Sequence, residues 1–192
     1  NFPILVSLTD AALGSKALST GNDIVFTSSD GTTKLNHEIE SYTTGTGVLV
    51  AWVQIPSLSS TADTVIYMYY GNAGASNQQS ITATWESNFK GVWHLNGVFT
   101  DSTSNGNNGT NTGTTAGAGK ISNGRVYTRA NGADKITVPG KMGSPVNVTL
   151  SGWGFLNSAD TSGAELVTIG DYIGLDLNKS GGVGTEGFYY DG

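Results

Sequence analysis

The chain has no cysteine, few charged residues and no long apolar run. Without cysteine it forms neither a disulfide framework nor a zinc–thiolate site. Charged residues make up 12% of the sequence, which is about half the usual share. No apolar stretch approaches the roughly 20 residues of a membrane-spanning helix, so direct membrane insertion is not expected.

The little charge that the chain carries is mostly negative. Nine Lys and Arg stand against fifteen Asp and Glu, which gives a net charge of −6. Scattered basic residues do not neutralise a phosphate backbone, and no polybasic run is present to meet an anionic membrane surface. Nucleic acid is therefore not an expected partner.

Turn-forming and strand-forming residues dominate what remains. The chain contains 28 Gly and many Thr, Ser and Asn, beside four Trp, eight Tyr and six Phe. β-Branched and aromatic residues favour strands, whereas Gly, Asn and Ser favour turns. Short apolar runs such as 3–8 recur between turn signals, and only 11–18 suggests a helical turn. The sequence predicts an all-β protein made of two β-sandwich modules.

Several strands of the first half have specific expected neighbours. The run 47–55 is apolar on both faces, which predicts a central strand covered on both sides, and 64–70 has the same character. Asp30–Gly31 is a hairpin signal. It predicts that strand 23–27 turns back to pair with 37–42.

The second half begins with a seam at 86–110, where a short buried strand is expected over 89–95. A cluster of turn formers follows it. Further along, 124–129 and 134–139 are predicted to pair around Asn131–Gly132. The run 147–155 alternates in polarity and predicts another strand.

Four blocks between residues 2 and 84 carry a family resemblance: NFPILVSL, DIVFTSSDGTTKLNHEIESY, VAWVQIPSL and VIYMYYGNA. In this order they resemble an uncharacterised domain that is common in large bacterial and archaeal surface proteins. The resemblance implies an N-terminal β-sandwich domain of unknown function over 1–84.

The blocks FKGVWHLNG, DSTSNGNNGT, GKISNGRVYTRANGADKITVP and VNVTLSGWGF resemble the start of a concanavalin A-like, laminin-G-like jelly roll. Such a module typically follows the first domain. The resemblance implies a second domain over 85–192, with an incomplete jelly roll over 89–192. The usual Phe-Asp-Gly turn of that family is replaced by Asn131–Gly132. The resemblance implies extracellular display at the cell surface, with adhesion or glycan binding, and it does not imply catalysis.

Glu38 and Glu40 form a close carboxylate pair on one predicted strand. Residues at i and i+2 lie about 6.5 Å apart on one strand face, which is near the spacing of a glycosidase acid and base. The alternative is a solvated strand face. The pair lies in the first domain, and the third acid that comparable glucanases need does not follow in the sequence.

The turn-rich segment after the seam is a candidate calcium site. Hard oxygen ligands, which calcium requires, come close together in the sequence at Asp101, Asn105 and Asn108. Calcium is the one cofactor that the sequence suggests. The alternative is an Asx-rich turn that satisfies its own backbone.

The expected strand 147–155 carries a candidate glycan-binding face. Its alternation places Thr149, Ser151, Trp153 and Phe155 on one side. A flat aromatic ring among hydrogen-bonding side chains suits a sugar ring. The alternative is that Trp153 packs under a loop or against the first domain.

No nucleophile with an activating base is evident, so the chain is not expected to be an enzyme. His37 and His94 belong to no metal motif and are interpreted as packed or surface histidines. Asn108, Asn147 and Asn178 are candidate glycosylation sites, since each begins an Asn-X-Ser/Thr sequon.

Three functions remain open. The first is a non-catalytic extracellular module for adhesion or polysaccharide binding, with a polysaccharide or glycoprotein glycan as partner. The second is a structural subunit of a surface filament, fibre or surface layer, whose partners are copies of itself joined at strand edges. A glycan-active enzyme is the last alternative.

Overall fold

The computed structural model describes residues 1–128, 134–139, 146–155, 164–169, 173–177 and 185–189. The chain divides into two compact units, Asn1–Val138 and Pro139–Gly192. Strands outnumber helices thirteen to two among the described residues, which confirms the predicted all-β class.

Thirteen strands and two short helices lie within the described residues. The strands are β1 Phe2–Thr9, β2 Val25–Ser28, β3 Lys34–Leu35, β4 His37–Thr43, β5 Val48–Ile55, β6 Ile66–Tyr69, β7 Thr110–Thr112, β8 Thr115–Ala118, β9 Asn123–Val126, β10 Lys135–Thr137, β11 Ala164–Ile169, β12 Ile173–Leu177 and β13 Thr185–Tyr189. The helices are α1 Ala11–Lys16 and α2 Ile81–Thr84.

The first unit is built around two antiparallel three-stranded sheets. One sheet has the order β1-β5-β4, and the other has the order β3-β2-β6. Both sheets and α1 contribute to a single hydrophobic core, consistent with a β-sandwich domain. Its fully buried members are Leu13, Ile24, Phe26, Leu35, Leu49, Ala51, Val53 and Ile55.

Strand β5 is the central strand of its sheet, as its two apolar faces predict. Because side chains alternate along a strand, Leu49, Ala51 and Val53 enter the core while Val50 and Trp52 point to the opposite face. That opposite face is also covered, since Val50 is buried.

Two expectations for the first unit are wrong. Strand β2 pairs with the two-residue β3 through the Asp30–Gly31 hairpin, while β4 pairs with β5 in the other sheet. The pattern of apolar residues locates strands, but it does not say in which sheet each strand lies. Strand β6 is an edge strand rather than a covered central one, with Tyr67 and Tyr69 each about half exposed.

Helix α1 is positioned by Asp10, the residue before it, and by Gly47, which lies next to Asp10 in the fold. The Asp10 carboxylate caps it by accepting hydrogen bonds from the backbone N–H groups of Ala12 and Leu13. The Asp10 N–H in turn donates to the carbonyl of Gly47, 3.1 Å away. Gly47 has φ +69°, and a Cβ there would overlap the Asp10 carbonyl oxygen.

The rest of the first unit contains two short antiparallel pairs. Strand β8 pairs with β9, and β10 pairs with β7. The expected pairing of 124–129 with 134–139 is therefore wrong, and Asn131–Gly132 lies outside the described residues. No strand forms over 89–95, where backbone groups bond instead to a neighbouring loop.

In the second unit, β11, β12 and β13 form an antiparallel sheet in sequence order. Residues 146–155 contain no strand, so the expected strand 147–155 is wrong. A strand requires a hydrogen-bonded neighbour, which alternation in the sequence does not guarantee.

Within the described residues, no helix is long and apolar enough to span a membrane.

We expect Gly47→Ala to lower the free energy of unfolding by about 2–4 kcal/mol, because it combines a left-handed φ with overlap of the Asp10 backbone. Gly45→Ala is the matched control. Gly45 also has positive φ, at +82°, but a Cβ there meets nothing within 4 Å. The control should lose only about 1–2 kcal/mol in urea denaturation. Equal losses in the two variants would contradict this account.

Candidate functional site

The most distinctive site of the first unit begins with an irregularity in β4. The β4–β5 pairing shifts register between Ile39 and Ser41, so Glu40 is the extra residue of a β-bulge. A bulge bends its strand and re-aims the side chain that it carries. Glu38 lies directly opposite Trp52, and both point away from the core.

His94 lies between these two glutamates. Its Nδ1 is 3.1 Å from Glu40 Oε2, and its Nε2 is 3.1 Å from Glu38 Oε2. Both contacts are ion pairs, and Nε2 has no hydrogen-bond partner of its own. The side chains of His94, Glu38 and Glu40 are only 11%, 8% and 2% exposed. We call these three residues the ion triad.

Neutral donors complete the coordination of the two carboxylates. Glu38 accepts hydrogen bonds from Trp85 Nε1 and Ser102 Oγ, each at 2.7 Å. Glu40 accepts one from Trp52 Nε1 at 2.8 Å. A buried charge is costly unless it is paired and hydrogen-bonded, and this arrangement meets both conditions.

Aromatic rings enclose the triad. The Trp52 ring stacks on the His94 imidazole at 6.1 Å between centroids, and the Trp85 ring lies 5.9 Å from the imidazole. Trp85 also packs against Trp52 and Phe89. These rings keep water away from the charges, which strengthens the electrostatic contacts between them.

The surroundings shift the pKa values of two triad members in opposite directions. Burial alone would lower the pKa of His94, but its contacts with Glu38 and Glu40 outweigh burial and raise that pKa to about 9. Burial would raise the pKa of Glu38, but His94, Ser102 and Trp85 outweigh it and lower that pKa. The triad therefore holds an imidazolium ion at neutral pH.

Neither sequence-based interpretation of Glu38 and Glu40 describes their surroundings. The solvated strand face is wrong, because both carboxylates are buried. As an acid and base pair they would have to reach a substrate, yet both are engaged by His94 and by N–H or O–H donors. The geometry supports a stabilising role, in which the triad fastens the segment around His94 to β4.

A third carboxylate, that of Asp101, shapes that segment from within. Asp101 is buried and accepts hydrogen bonds from the N–H groups of Val92, Thr103 and Asn107 and from the Thr103 hydroxyl. These contacts fold 92–107 into a compact loop. His94 and Ser102, on opposite arms of the loop, both reach Glu38.

The candidate calcium ligands take part in the same loop. Asn108 Oδ1 accepts the Asp101 N–H at 2.9 Å, while Asn105 Nδ2 donates to the Phe89 carbonyl at 2.9 Å. Donors face both oxygens of the Asp101 carboxylate, as the Asx-turn alternative predicts. In the described part of the chain no group of three or more His, Asp or Glu is arranged to hold a metal ion. Calcium binding stays a prediction that this geometry does not favour.

His37 is a packed core residue. It is fully buried, meets the Phe26 ring edge-on at 5.3 Å, and has its pKa lowered by burial. The interpretation of His37 as packed is confirmed. His94 is also packed, but no residue near it in the sequence identifies its charged partners.

The candidate glycan residues are all exposed. Thr149 and Ser151 are exposed, Trp153 is 70% exposed and Phe155 is 95% exposed. Because these residues form no strand, the structure gives no common sheet face for them. Of the candidate sequons, Asn108 and Asn147 are exposed, and Asn178 lies outside the described residues.

Residues 20–113 match the model of a family described as a domain of unknown function (DUF2341). The matched segment contains Glu38 and Glu40 as well as His94 and Asp101. It extends past Thr84, where the sequence-based division placed the end of the first domain, and that division stays a prediction. Neither the curated proteins nor the solved structures gave a match to this chain.

We expect the free energy of unfolding to fall by about 2–3 kcal/mol between pH 6.5 and pH 10. The sign follows from the raised pKa. Stabilisation by His94 is complete below its unfolded pKa of about 6.5 and is lost as pH rises through about 9. Urea denaturation across this range measures the effect. His94→Gln is the control, and it should lack the loss of stability that follows the His94 pKa near 9. A wild-type curve with no such loss between pH 8 and pH 10 would contradict the proposed ion triad.

We expect Glu38→Gln to lower the free energy of unfolding by about 3–5 kcal/mol, because removing one charge leaves buried partners uncompensated. Asp63→Asn makes the same chemical change at an exposed carboxylate and should cost less than about 0.5 kcal/mol. Thermal or urea unfolding of the two variants compares them. A loss for Glu38→Gln no larger than the control would show that the triad adds no net stability.

Proposed function

We propose that the chain is a non-catalytic extracellular module of the cell surface that binds polysaccharide or glycoprotein glycans in adhesion. The observation that carries this proposal is the 70% exposure of Trp153, which is close in sequence to the exposed hydroxyl residues Thr149 and Ser151. An indole ring offers a flat apolar surface to the C–H face of a sugar. Neighbouring hydroxyls can exchange hydrogen bonds with those of the ligand.

In this proposal the second unit recognises the glycan and the first unit serves as a rigid support. The jelly roll expected over 89–192 and the low share of charged residues in the chain, 12%, suit a neutral, hydroxyl-rich ligand. A non-catalytic role is supported by the burial of the ion triad, whose three ionisable side chains are at most 11% exposed. Calcium and glycosylation at Asn108, Asn147 or Asn178 remain secondary parts of the proposal.

The first unit also presents an aromatic surface that serves as an internal comparison. Tyr67 and Tyr69 occupy one face of β6, with ring centroids 6.5 Å apart, and are 46% and 47% exposed. If aromatic exposure alone were sufficient for glycan binding, this pair would compete with Trp153 as the recognition surface.

We expect Trp153→Ala to weaken binding on a glycan array about tenfold or more, since the exposed aromatic anchor of the proposed site is removed. The double variant Tyr67→Ala/Tyr69→Ala is the matched control and should bind like the wild type. Loss of binding in the tyrosine variant alone would move recognition to the first unit. Absence of binding by the wild type to any glycan would contradict the proposal.

A structural subunit of a surface filament, fibre or surface layer is the second candidate function. The observation that favours it is the long edge strand β1, which has a paired neighbour on only one side among the described strands. Such an edge offers unpaired backbone groups to another chain. In this alternative the partners are copies of the same protein.

A further inference from the structure

Hydrogen bonding within the β1-β5-β4 sheet determines which backbone groups of β1 point outward. The Asp10 N–H donates to the Gly47 carbonyl, and the Gln54 N–H donates to the Asn36 carbonyl on the β4 side. Since backbone groups alternate sides along an antiparallel strand, the odd-numbered residues of β5 bond toward β1. The even-numbered residues of β1 therefore bond to β5, and Leu5, Ser7 and Thr9 direct their N–H and C=O groups outward.

This outer edge has few of the features that protect natural sheet edges. Strand β1 has no charged residue, and its eight residues pair with β5 without a bulge. Proteins usually guard an exposed edge with Lys, Pro, a bulge or a covering segment. Pro3 is the only such device on β1. The opposite edge of the sheet has the Glu40 bulge, with the Asn96 side chain bonded to the Glu40 carbonyl.

The side chains of β1 are only partly covered on the face that meets the core. Ile4, Val6 and Leu8 pack against the core but remain partly exposed. A further strand alongside β1 would extend the sheet and cover them with its own apolar residues. Among the described strands β1 has no outer neighbour, and a strand that pairs there is expected to be apolar on the core face and uncharged, as β1 itself is.

From this pattern we propose that β1 pairs antiparallel with β1 of a second copy, centred on Ser7. This register places Leu5 opposite Thr9 of the other copy and uses every outward N–H of the strand, giving about six backbone hydrogen bonds. Pro3, which lacks an N–H, falls outside the paired region. Val6 lies opposite Leu8 of the other copy on the core face, so the two cores meet along one continuous sheet.

Self-pairing of β1 rests on the second candidate function, a structural subunit that assembles with its own copies, and does not depend on glycan binding. Its central contact is testable, because the register places the two Ser7 side chains opposite each other. Like charges directly opposite in a sheet repel, whereas opposite charges attract. Ser7 is exposed, so a charged residue there should not disturb the fold.

The experiment is sedimentation velocity over a range of protein concentrations, at low salt, on the complete chain. The wild type should form a dimer. Ser7→Lys and Ser7→Glu should each raise the dimer dissociation constant about tenfold or more. An equimolar mixture of the two variants should restore the dimer. Thr43→Lys, at an exposed position on β4, is the matched control and should behave like the wild type.

Three results would overturn the proposal: a monomeric wild type at every concentration, a dimer indifferent to both Ser7 variants, or a mixture that stays monomeric. Equal urea midpoints for the wild type and both variants, measured at a protein concentration low enough for all three to be monomeric, would show that the charges act on association and not on folding. The glycan array with Trp153→Ala is read separately, so self-pairing and glycan recognition stand or fall independently.

Discussion

The ion triad is the interaction on which the organisation of the first unit depends. Residues 85–109 have no regular strand or helix, so their attachment to the sheet relies on side chains. Asp101 folds the segment into a loop, and Glu38 and Glu40 receive His94 and Ser102 from that loop. Because these charges are buried, separating them would leave uncompensated ions. The triad therefore joins the loop to β4 of the β1-β5-β4 sheet, and the family match contains both the loop and β4.

The local features of the sequence predicted much of the secondary structure. The two apolar faces of β5 predicted its central place, and Pro3–Leu8 predicted β1 almost residue for residue. Helix α1 was expected near 11–18. In each case a short stretch contains the signal, because alternation, capping and turn chemistry act between neighbours in sequence.

The features that the sequence did not predict depend on distant residues or on the choice between similar partners. Trp85 and Ser102 reach Glu38 from 47 and 64 residues away, and nothing near His94 identifies its two carboxylate partners. A pair of glutamates on one strand face looks solvated until another segment covers it. The pairing of β2 with β3 rather than β4 is of the same kind, since both are short runs after one hairpin signal. Which strand pairs with which depends on how the apolar faces of both sheets are buried together, and a short stretch of sequence does not contain that information.

The most direct test of this account is the pH at which His94 titrates, followed through its imidazole resonances by NMR, with His94→Gln to assign them. A buried imidazolium between two carboxylates should remain protonated through neutral pH and titrate near pH 9. His37, which is buried among apolar residues, should titrate below its ordinary value and provides an internal comparison. Titration of His94 at or below about 6.5 would contradict the ion triad, and with it the account of how the loop is held to the sheet.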